Sequence, residues 1–490
     1  MIDICLQKIR SIPLPLWIGM AVFGTMFALI SLVNHHLYRT SALDLGMMNH
    51  ALHSFSEFRA NTFTLCLSES EEKPFFGTHL SPVMFLFVPV YWVLKGTSLL
   101  YIQIAAILLG GLGIFRIAQS ATKDNKIALW AAGHFYCIWG IYSALEFDFH
   151  NNVIGAMMVP WLWHFLTERR RIAALATLLL ILACQENMGL WMVFVITGFM
   201  IHKKSLLQRK SLHFEWPLAL LSGFYFVLAV AWIMPSIAGE IHSSQLSRYS
   251  HLGDGIANIA WHLVTHPLEA VKQLFTCQHP DASAKLEFHV MMLVAGGWAC
   301  VRYPQFLWML IPIYAQKLLS NAPSFWGVGR QYSIEFVPII SLAVLTLGMN
   351  HRRTFRVLYP LICVVTLTST ILKFKQRKDF FKRECIDLLY APHYKTSLDV
   401  SAIQRVVSAI PEDIPLSVSS SLAPHLANRA CIRLFPMEKD AEMIVLLDNP
   451  GYEWPLNEVR FQDELQRLKS SNRYELIAED SDIWVFQVVE

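Results

Sequence analysis

The apolar residues of this chain are gathered into blocks of about membrane length, and nearly every charged side chain lies between the blocks. Hydrocarbon offers a peptide group no hydrogen-bond partner, so blocks of this kind cross a bilayer as helices whose backbone groups satisfy one another. With 54% hydrophobic and 16% charged residues, the composition predicts a mainly α, multi-spanning membrane protein. The first block, Leu14–Val33, follows Lys8 and Arg10. Asn34-His35-His36 comes next, with no small-residue cleavage site, which predicts a signal anchor rather than a cleaved signal peptide.

Further spans are read at Leu99–Arg116, Ala128–Ala144, Val153–Leu166, Ile172–Cys184, Met188–Ile201, Pro217–Met234, Phe288–Cys300, Gln305–Leu319, Ile334–Leu347 and Val357–Leu372. The total is about eleven transmembrane helices. Leu80–Leu94 is also apolar, but it is short and contains Pro82 and Pro89, so it reads as an interfacial or re-entrant segment.

Basic residues set the orientation. Lys8/Arg10, Arg116/Lys123/Lys126, Arg169/Arg170/Arg171, Lys203/Lys204/Arg209/Lys210, Arg302 and Arg352/Arg353/Arg356 all fall on one side of this threading, which the positive-inside rule makes cytoplasmic. The opposite loops Glu146–Asn152 and Gln185–Asn187 carry no Lys or Arg. Residues 34–97 and 236–285 become larger outer loops, the N-terminus lies inside, and everything after Lys373 lies outside. The net charge of +3 therefore speaks for orientation and against nucleic-acid binding.

Beyond a linker at 374–395 the composition changes. In 396–490, Ser397–Ile410 and Asn457–Leu468 read as helices, Leu416–Ser419 and Met443–Leu447 as buried strands, and Glu475–Ala478 with Ile483–Val488 as a closing strand pair. This is a small extracytoplasmic α/β domain appended to a membrane domain spanning residues 1–373. The nine cysteines have no paired spacing and predict neither a zinc site nor a disulfide.

Six ionisable side chains, Asp44, His79, Glu146, Asp148, His150 and Glu186, fall at the ends of apolar blocks, all on the non-cytoplasmic side. A charge at the bilayer centre costs roughly 2.5–3.5 kcal/mol on insertion scales, so ionisable groups at such depth point to a functional site. Asp44 can act in that site or simply cap a surface helix. His79 can orient a carboxylate, share its proton or start a helix. Glu146-Phe147-Asp148-Phe149-His150 alternates, so an extended backbone puts its three polar groups on one side, and a helix still pairs Glu146 with His150. Glu186 sits in a turn so tight that its carboxylate needs a partner or a raised pKa. Arg330, beside Tyr332, presents the forked donors that suit a phosphate, or else pairs with Glu186 or Asp148. No Gly-rich phosphate loop, paired CxxC, HExxH or nucleophile elbow is present, which removes support for ATP-driven transport.

Leu43-Asp44-Leu45-Gly46, Thr78-His79-Leu80-Ser81-Pro82, Phe147-Asp148-Phe149-His150, Gln185-Glu186-Asn187, Tyr332-Ser333 with Pro338, and Ser417–Arg429 occur in this order. Together they resemble a bacterial family of predicted membrane proteins catalogued as domain of unknown function 2079. That family is similar in turn to the GT-C class of glycosyltransferases, which take a sugar from a polyprenyl-phosphate carrier. The resemblance implies residence in the bacterial cytoplasmic membrane, and a polyprenyl-phosphate-linked sugar and the lipid bilayer as partners. It also implies Asp44 as the catalytic base in the first outer loop, tuned by His79. Arg330 then grips the donor phosphate, Glu186 with Asp148 and His150 holds the acceptor, and Glu146 and Tyr332 are further substrate-binding residues. No cofactor is demanded; a divalent cation, magnesium or manganese, would take Asp148, His150 and Glu186. The chain departs from the family pattern where Asn151-Asn152 replaces Pro-Glu, Gln185 replaces Lys and Asn187 replaces Asp. Two other readings remain: a transporter of lipid-linked saccharides, and a non-catalytic scaffold in envelope assembly.

Overall fold

A computed structural model describes residues 12–204, 208, 213–239, 245–276, 279–376 and 382–489. Lys8, Arg10, Arg209 and Lys210 of the basic clusters, Cys5 and Cys277, and parts of the 236–285 and 374–395 segments lie outside the described residues. The chain is mainly helical. Among the described residues, the α-helices of eight or more residues ahead of the C-terminal domain begin with α1 (Leu14–His36), α2 (Met47–Ser56), α3 (Met84–Leu94), α4 (Ser98–Thr122), α5 (Asn125–Cys137), α6 (Trp139–Glu146), α7 (Asn151–Thr167), α8 (Arg171–Leu182), α9 (Met188–His202) and α10 (Glu215–Leu228). They continue with α11 (Gly255–Thr265), α12 (Ser283–Met292), α13 (Pro304–Leu318), α14 (Phe336–Asn350) and α15 (Arg352–Lys375).

Among the described residues, six helical stretches are long and apolar enough to cross a membrane: Leu14–His36, Met84–Thr122, Glu215–Ala238, Ser283–Arg302, Gln331–Asn350 and Arg353–Lys375. The other blocks expected to span are helical but shorter. The block read as Ala128–Ala144 is divided into α5 and α6, because Ile138 adopts an extended conformation (φ −73°, ψ 129°) between them. Within Met84–Thr122 the backbone breaks at Lys95 (φ 48°, ψ −136°), leaving α3 with 11 residues, or about 16 Å, too short to cross alone.

Helix α4 is the hub of the bundle, packed on α5 and α7. Glycines make this possible: a Cβ at Gly111 would stand 2.2 Å from the Tyr136 ring, and one at Gly113 would stand 2.9 Å from Pro160. Small residues at helix contacts let backbones approach where hydrocarbon supplies no hydrophobic drive for association. At one end of the bundle, Ser120 of α4, Glu168 after α7, Lys203 after α9 and Met349 of α14 meet around a cavity of about 250 Å³. The acidic and imidazole residues gather some 25 Å away along α4, as the 1.5 Å rise per residue requires.

The C-terminal domain adds α16 (Val400–Ala409) and α17 (Glu458–Ser470) to a five-stranded sheet. The strands are β3 (Leu416–Val418), β4 (Ile432–Leu434), β5 (Met443–Leu447), β6 (Tyr474–Asp480) and β7 (Ile483–Val488), while β1 (Thr62–Phe63) and β2 (Lys73–Pro74) form a separate ribbon. The order is β4-β3-β5-β7-β6, with β4, β3 and β5 parallel and β7 antiparallel to both neighbours. Strand β4 lies in a stretch for which the sequence reading assigned no element; at three residues it carries little periodic signal.

The domain is held down at its root. Arg39, just beyond α1, donates to the carbonyls of Glu384, Pro392, His393 and Lys395 at 2.7–3.0 Å. The rings of His35 and His425 stack at 4.1 Å, and Arg433 of β4 pairs with Glu72 of the first loop.

Candidate functional site

Asp44 lies in a π-type turn, Ala42–Gly46, that starts from extended Ser41 and runs straight into α2. Ser41 closes the turn by donating its hydroxyl to Asp44 Oδ2 at 3.0 Å. The other carboxylate oxygen, Oδ1, takes the Nε2 of His150 at 3.1 Å. Asp148 binds the same turn from the opposite loop, accepting the Ser41 amide on Oδ2 at 2.8 Å.

The 146–150 segment is neither the strand nor the helix its alternation suggested. Glu146 closes α6, Asp148 is left-handed (φ 59°) and Asn151 opens α7. A buried glutamine imposes this kink. Gln103 of α4 donates to the Asp148 carbonyl at 2.7 Å and accepts the His150 amide at 3.0 Å. The result still brings Asp148 and His150 to Asp44, while Phe149 turns into the core against Phe87.

Phe147 stacks on the His150 ring with centroids 5.6 Å apart, and the Arg330 guanidinium stands 4.7 Å from the Phe147 centroid. Asp44, His150, Phe147 and Arg330 thus form a continuous path. The charges of the path act on two neighbouring acids. Desolvation of its carboxyl pushes Glu146 up to about 8, with Asp148 and Asp44 adding to the rise and Arg330 and Lys382 opposing it. Burial, then the neighbouring Asp44, lifts Asp148 well above the usual carboxylate range. Asp148 is buried, while Glu146 and Asp44, the latter with its side chain 20% exposed, both reach the surface in part.

His79 does not stand on Asp44. It lies 3.8 Å from Glu186, whose second oxygen accepts the Leu80 amide at 3.1 Å. The physical reason is local: the chain after His79 is stitched to the turn after α8 by the Val83 amide bonding the Ala183 carbonyl, and Gln185 reaches the His79 ring at 3.4 Å. Glu186 thereby has the partner its tight turn demands. Asn187 extends this second group by donating to Gln316 at 3.3 Å, whose carbonyl accepts the Tyr249 hydroxyl at 2.6 Å. Tyr332 stacks on Phe325 at 3.8 Å, Arg248 covers Phe325 at 4.6 Å, and Arg248, Arg330 and Asp44 all lie within Coulombic reach of Tyr332. Among the described residues, no group of three or more His, Cys, Asp or Glu side chains could hold a metal ion.

Several residues that shape the site gave no motif. Gln103 is the one polar amide in the apolar run 99–115 of α4, and that isolation is the signal that could have exposed it. Lys317 donates to the carbonyls of Phe325 and Gly327 at 2.7 and 2.6 Å, and Ser143 donates to Val328, so both fix the loop that delivers Arg330. Asn152 donates to buried Glu335 at 2.8 Å, tying the start of α7 to the Tyr332 turn. From the C-terminal domain, Ser420 accepts the Ala42 amide at 3.2 Å and Asn449 donates to the Tyr38 carbonyl at 2.7 Å. A Cβ at Gly46 would stand 3.2 Å from Ala423. The Ser417–Arg429 stretch therefore abuts the Asp44 turn, which accounts for its place beside the membrane motifs.

Comparison with known proteins bears on this arrangement. The chain superposes on ArnT from Cupriavidus metallidurans bound to undecaprenyl phosphate with a TM-score of 0.52 at 10% identity, covering 96% of this chain and 97% of that one. The apo form of the same protein gives 0.45 at 11% identity, covering 94% and 97%. The first of these shows a shared fold. No curated protein sequence matches. A family model described as a predicted membrane protein, DUF2079, matches residues 34–485. The chain belongs to the DUF2079 family of predicted membrane proteins.

Proposed function

We propose that this protein is a membrane glycosyltransferase that moves a sugar from a polyprenyl-phosphate donor to an acceptor at the outer face of the cytoplasmic membrane. The observation that carries the reading is the Asp44–His150 pair, one carboxylate oxygen on the imidazole and the other on Ser41, set beside Arg330 and Tyr332 on an ArnT-like fold. The relative's printed ligand, undecaprenyl phosphate, is the chemical class we assign to the donor. The orientation is that of the basic clusters, with about eleven spans, the N-terminus inside and the C-terminal domain outside.

In this mechanism Arg330 grips the donor phosphate with its forked donors. Asp44 takes the proton of an acceptor hydroxyl as the oxygen bonds to the anomeric carbon from the side opposite the phosphate. The bond from that carbon to the phosphate oxygen breaks, its electron pair leaves with polyprenyl phosphate, and configuration inverts. His150, rather than His79, orients Asp44. The Glu186–His79–Asn187 group lines the acceptor side, and its neutral Gln185 and Asn187 point to an acceptor with fewer charge contacts than the family pattern provides for.

The test is lipid mass spectrometry on protein purified in mild detergent. Wild type should carry a sugar-bearing polyprenyl phosphate, Arg330→Ala should lose it, and Asp44→Asn should retain or enrich it while abolishing turnover. A carrier bound regardless of Arg330 favours a lipid transporter, and no carrier in any folded sample favours a scaffold. Full transfer activity in Asp44→Asn would remove Asp44 from the role of base.

A further inference from the structure

Residues 245–276 leave the bundle as an arm fixed at both ends. At its start, in the 3₁₀ segment Gln245–Leu252, Arg248 covers Phe325, the Arg248 carbonyl accepts the Asn321 amide at 2.8 Å, and the Tyr249 hydroxyl bonds the Gln316 carbonyl. At its end the buried Lys285 donates to the carbonyls of Gln273 and Leu318 at 2.6 and 2.7 Å, and Phe275 stacks on His289 at 4.4 Å. Between these anchors run α11 and the short helix Pro267–Gln273, which meet at a kink on His266 (φ −124°, ψ 54°).

The two helices, with Phe275 just after them, present large apolar side chains that stay exposed among the described residues. Trp261, Val264, Leu268, Val271 and Phe275 are 70, 74, 85, 54 and 50% exposed. Their spacings of three and four hold each helix's members on one side. The other side is partly covered, with Ile259, Leu263, Ala270 and Leu274 half-buried. A contiguous exposed apolar stripe marks an interaction surface.

Continuity selects the partner. Helix 283–302, one of the stretches long enough to cross a membrane, exposes Leu286, Val290, Leu293 and Val301 at helical spacing, the surface such a helix turns to hydrocarbon. Phe275, through its stack on His289, brings the arm's stripe to that surface. Trp261 supplies the amphipathic ring favoured at headgroup level, and Glu269 and Lys272 balance each other, so the attraction is apolar rather than electrostatic.

We infer that α11 and the helix Pro267–Gln273 lie in the headgroup–acyl boundary of the bilayer at the Asp44 end of the bundle, with the stripe sunk roughly 5–10 Å into it. The arm is thereby a lipid-seated strut that carries Arg248 to the Phe325–Tyr332 stack.

The inference is tested on the full chain in phospholipid nanodiscs, with a nitroxide placed by Val264→Cys, Leu268→Cys or Glu269→Cys and unmutated protein carried through as background. All three sites are exposed, so folding is preserved. Oxygen should collide with the label at 264 and 268 several-fold more than a nickel chelate does, and the ratio should reverse at 269, which lies off the stripe. The pattern should be the same in phosphatidylcholine alone and with phosphatidylglycerol added. Labels at 264 and 268 as accessible to the chelate as 269 would overturn the inference. So would protection from both probes, which would mean a protein partner on the stripe, and so would a membrane signature that appears only with the anionic lipid.

Discussion

Replacing Gln103 by leucine isolates the interaction that shapes the candidate site. The substitution keeps the volume of a buried side chain in the second turn of α4 and removes its amide. Two partners are then stranded in a dry environment: the Asp148 carbonyl, bonded at 2.7 Å, and the His150 amide, bonded at 3.0 Å. A buried polar group left without its partner costs about 1–3 kcal/mol, so the two together predict a loss of about 2–6 kcal/mol. The weaker 3.4 Å contact to Ala144 adds little. The loss is local in origin, because Asp148 is left-handed and has no regular ladder to fall back on. The 146–152 loop should therefore loosen before the bundle does, and His150 should leave Asp44. The assay is reversible unfolding in mixed micelles paired with hydrogen exchange read at the His150 amide. Gln103→Glu can keep both contacts only while its carboxyl is protonated, so it should fall between wild type and Gln103→Leu at low pH and lose that margin as pH rises. If Gln103→Leu unfolds within about 0.5 kcal/mol of wild type with unchanged exchange at His150, the loop is held by something other than this amide.

Two further outcomes follow from Glu146 and Glu335. The Glu146 carboxyl is raised from 4.5 to about 8, so the folded state holds a proton that the unfolded chain releases at lower pH. Stability should then fall as pH rises from about 4.5 to 8, and Glu146→Gln should flatten that dependence. The variant's advantage should grow to about 4–5 kcal/mol by pH 8, read from unfolding midpoints across the pH range. At the neighbouring contact, Asn152→Asp sets a second carboxyl against buried Glu335, replacing a 2.8 Å amide–carboxyl bond with a pair that cannot both ionise. A loss of about 2–4 kcal/mol is expected, and Glu335→Gln in the same chain should restore most of it; a double-mutant cycle without coupling would refute the contact.

What could be read from the residues and what could not follows the range of each physical signal. Apolar runs report burial in hydrocarbon or core without distinguishing the two, and the blocks that hold α7, α8, α9 and α13 are helical as expected but shorter than the six stretches long enough to cross alone. Periodicity recovered β5 and β7 of the C-terminal sheet but not β4, whose three residues carry no pattern. Ionisable side chains at the ends of apolar blocks were visible because their desolvation is so unfavourable that they stand out against any background. Their pairing was invisible, because it depends on which loops touch. Asp44 meets His150 instead of His79 on account of an amide–carbonyl bond between Val83 and Ala183 and an amide buried at Gln103, and neither leaves a motif.

The same reasoning assigns a part to the C-terminal domain that composition alone does not suggest. A small α/β unit after the last span reads as a module for presenting an acceptor. In the structure, the loops that follow the parallel strands β3 and β5 face the membrane domain. Ser420 holds the Ala42 amide, Asn449 holds the Tyr38 carbonyl, and Ala423 packs 3.2 Å from where a Cβ at position 46 would stand. Asp44 is consequently gripped on two sides, by the 148–150 loop from the bundle and by the β3 loop from above. A carboxylate held by elements so distant in sequence keeps its geometry without reorganising when a proton is transferred, and that is the property a general base requires.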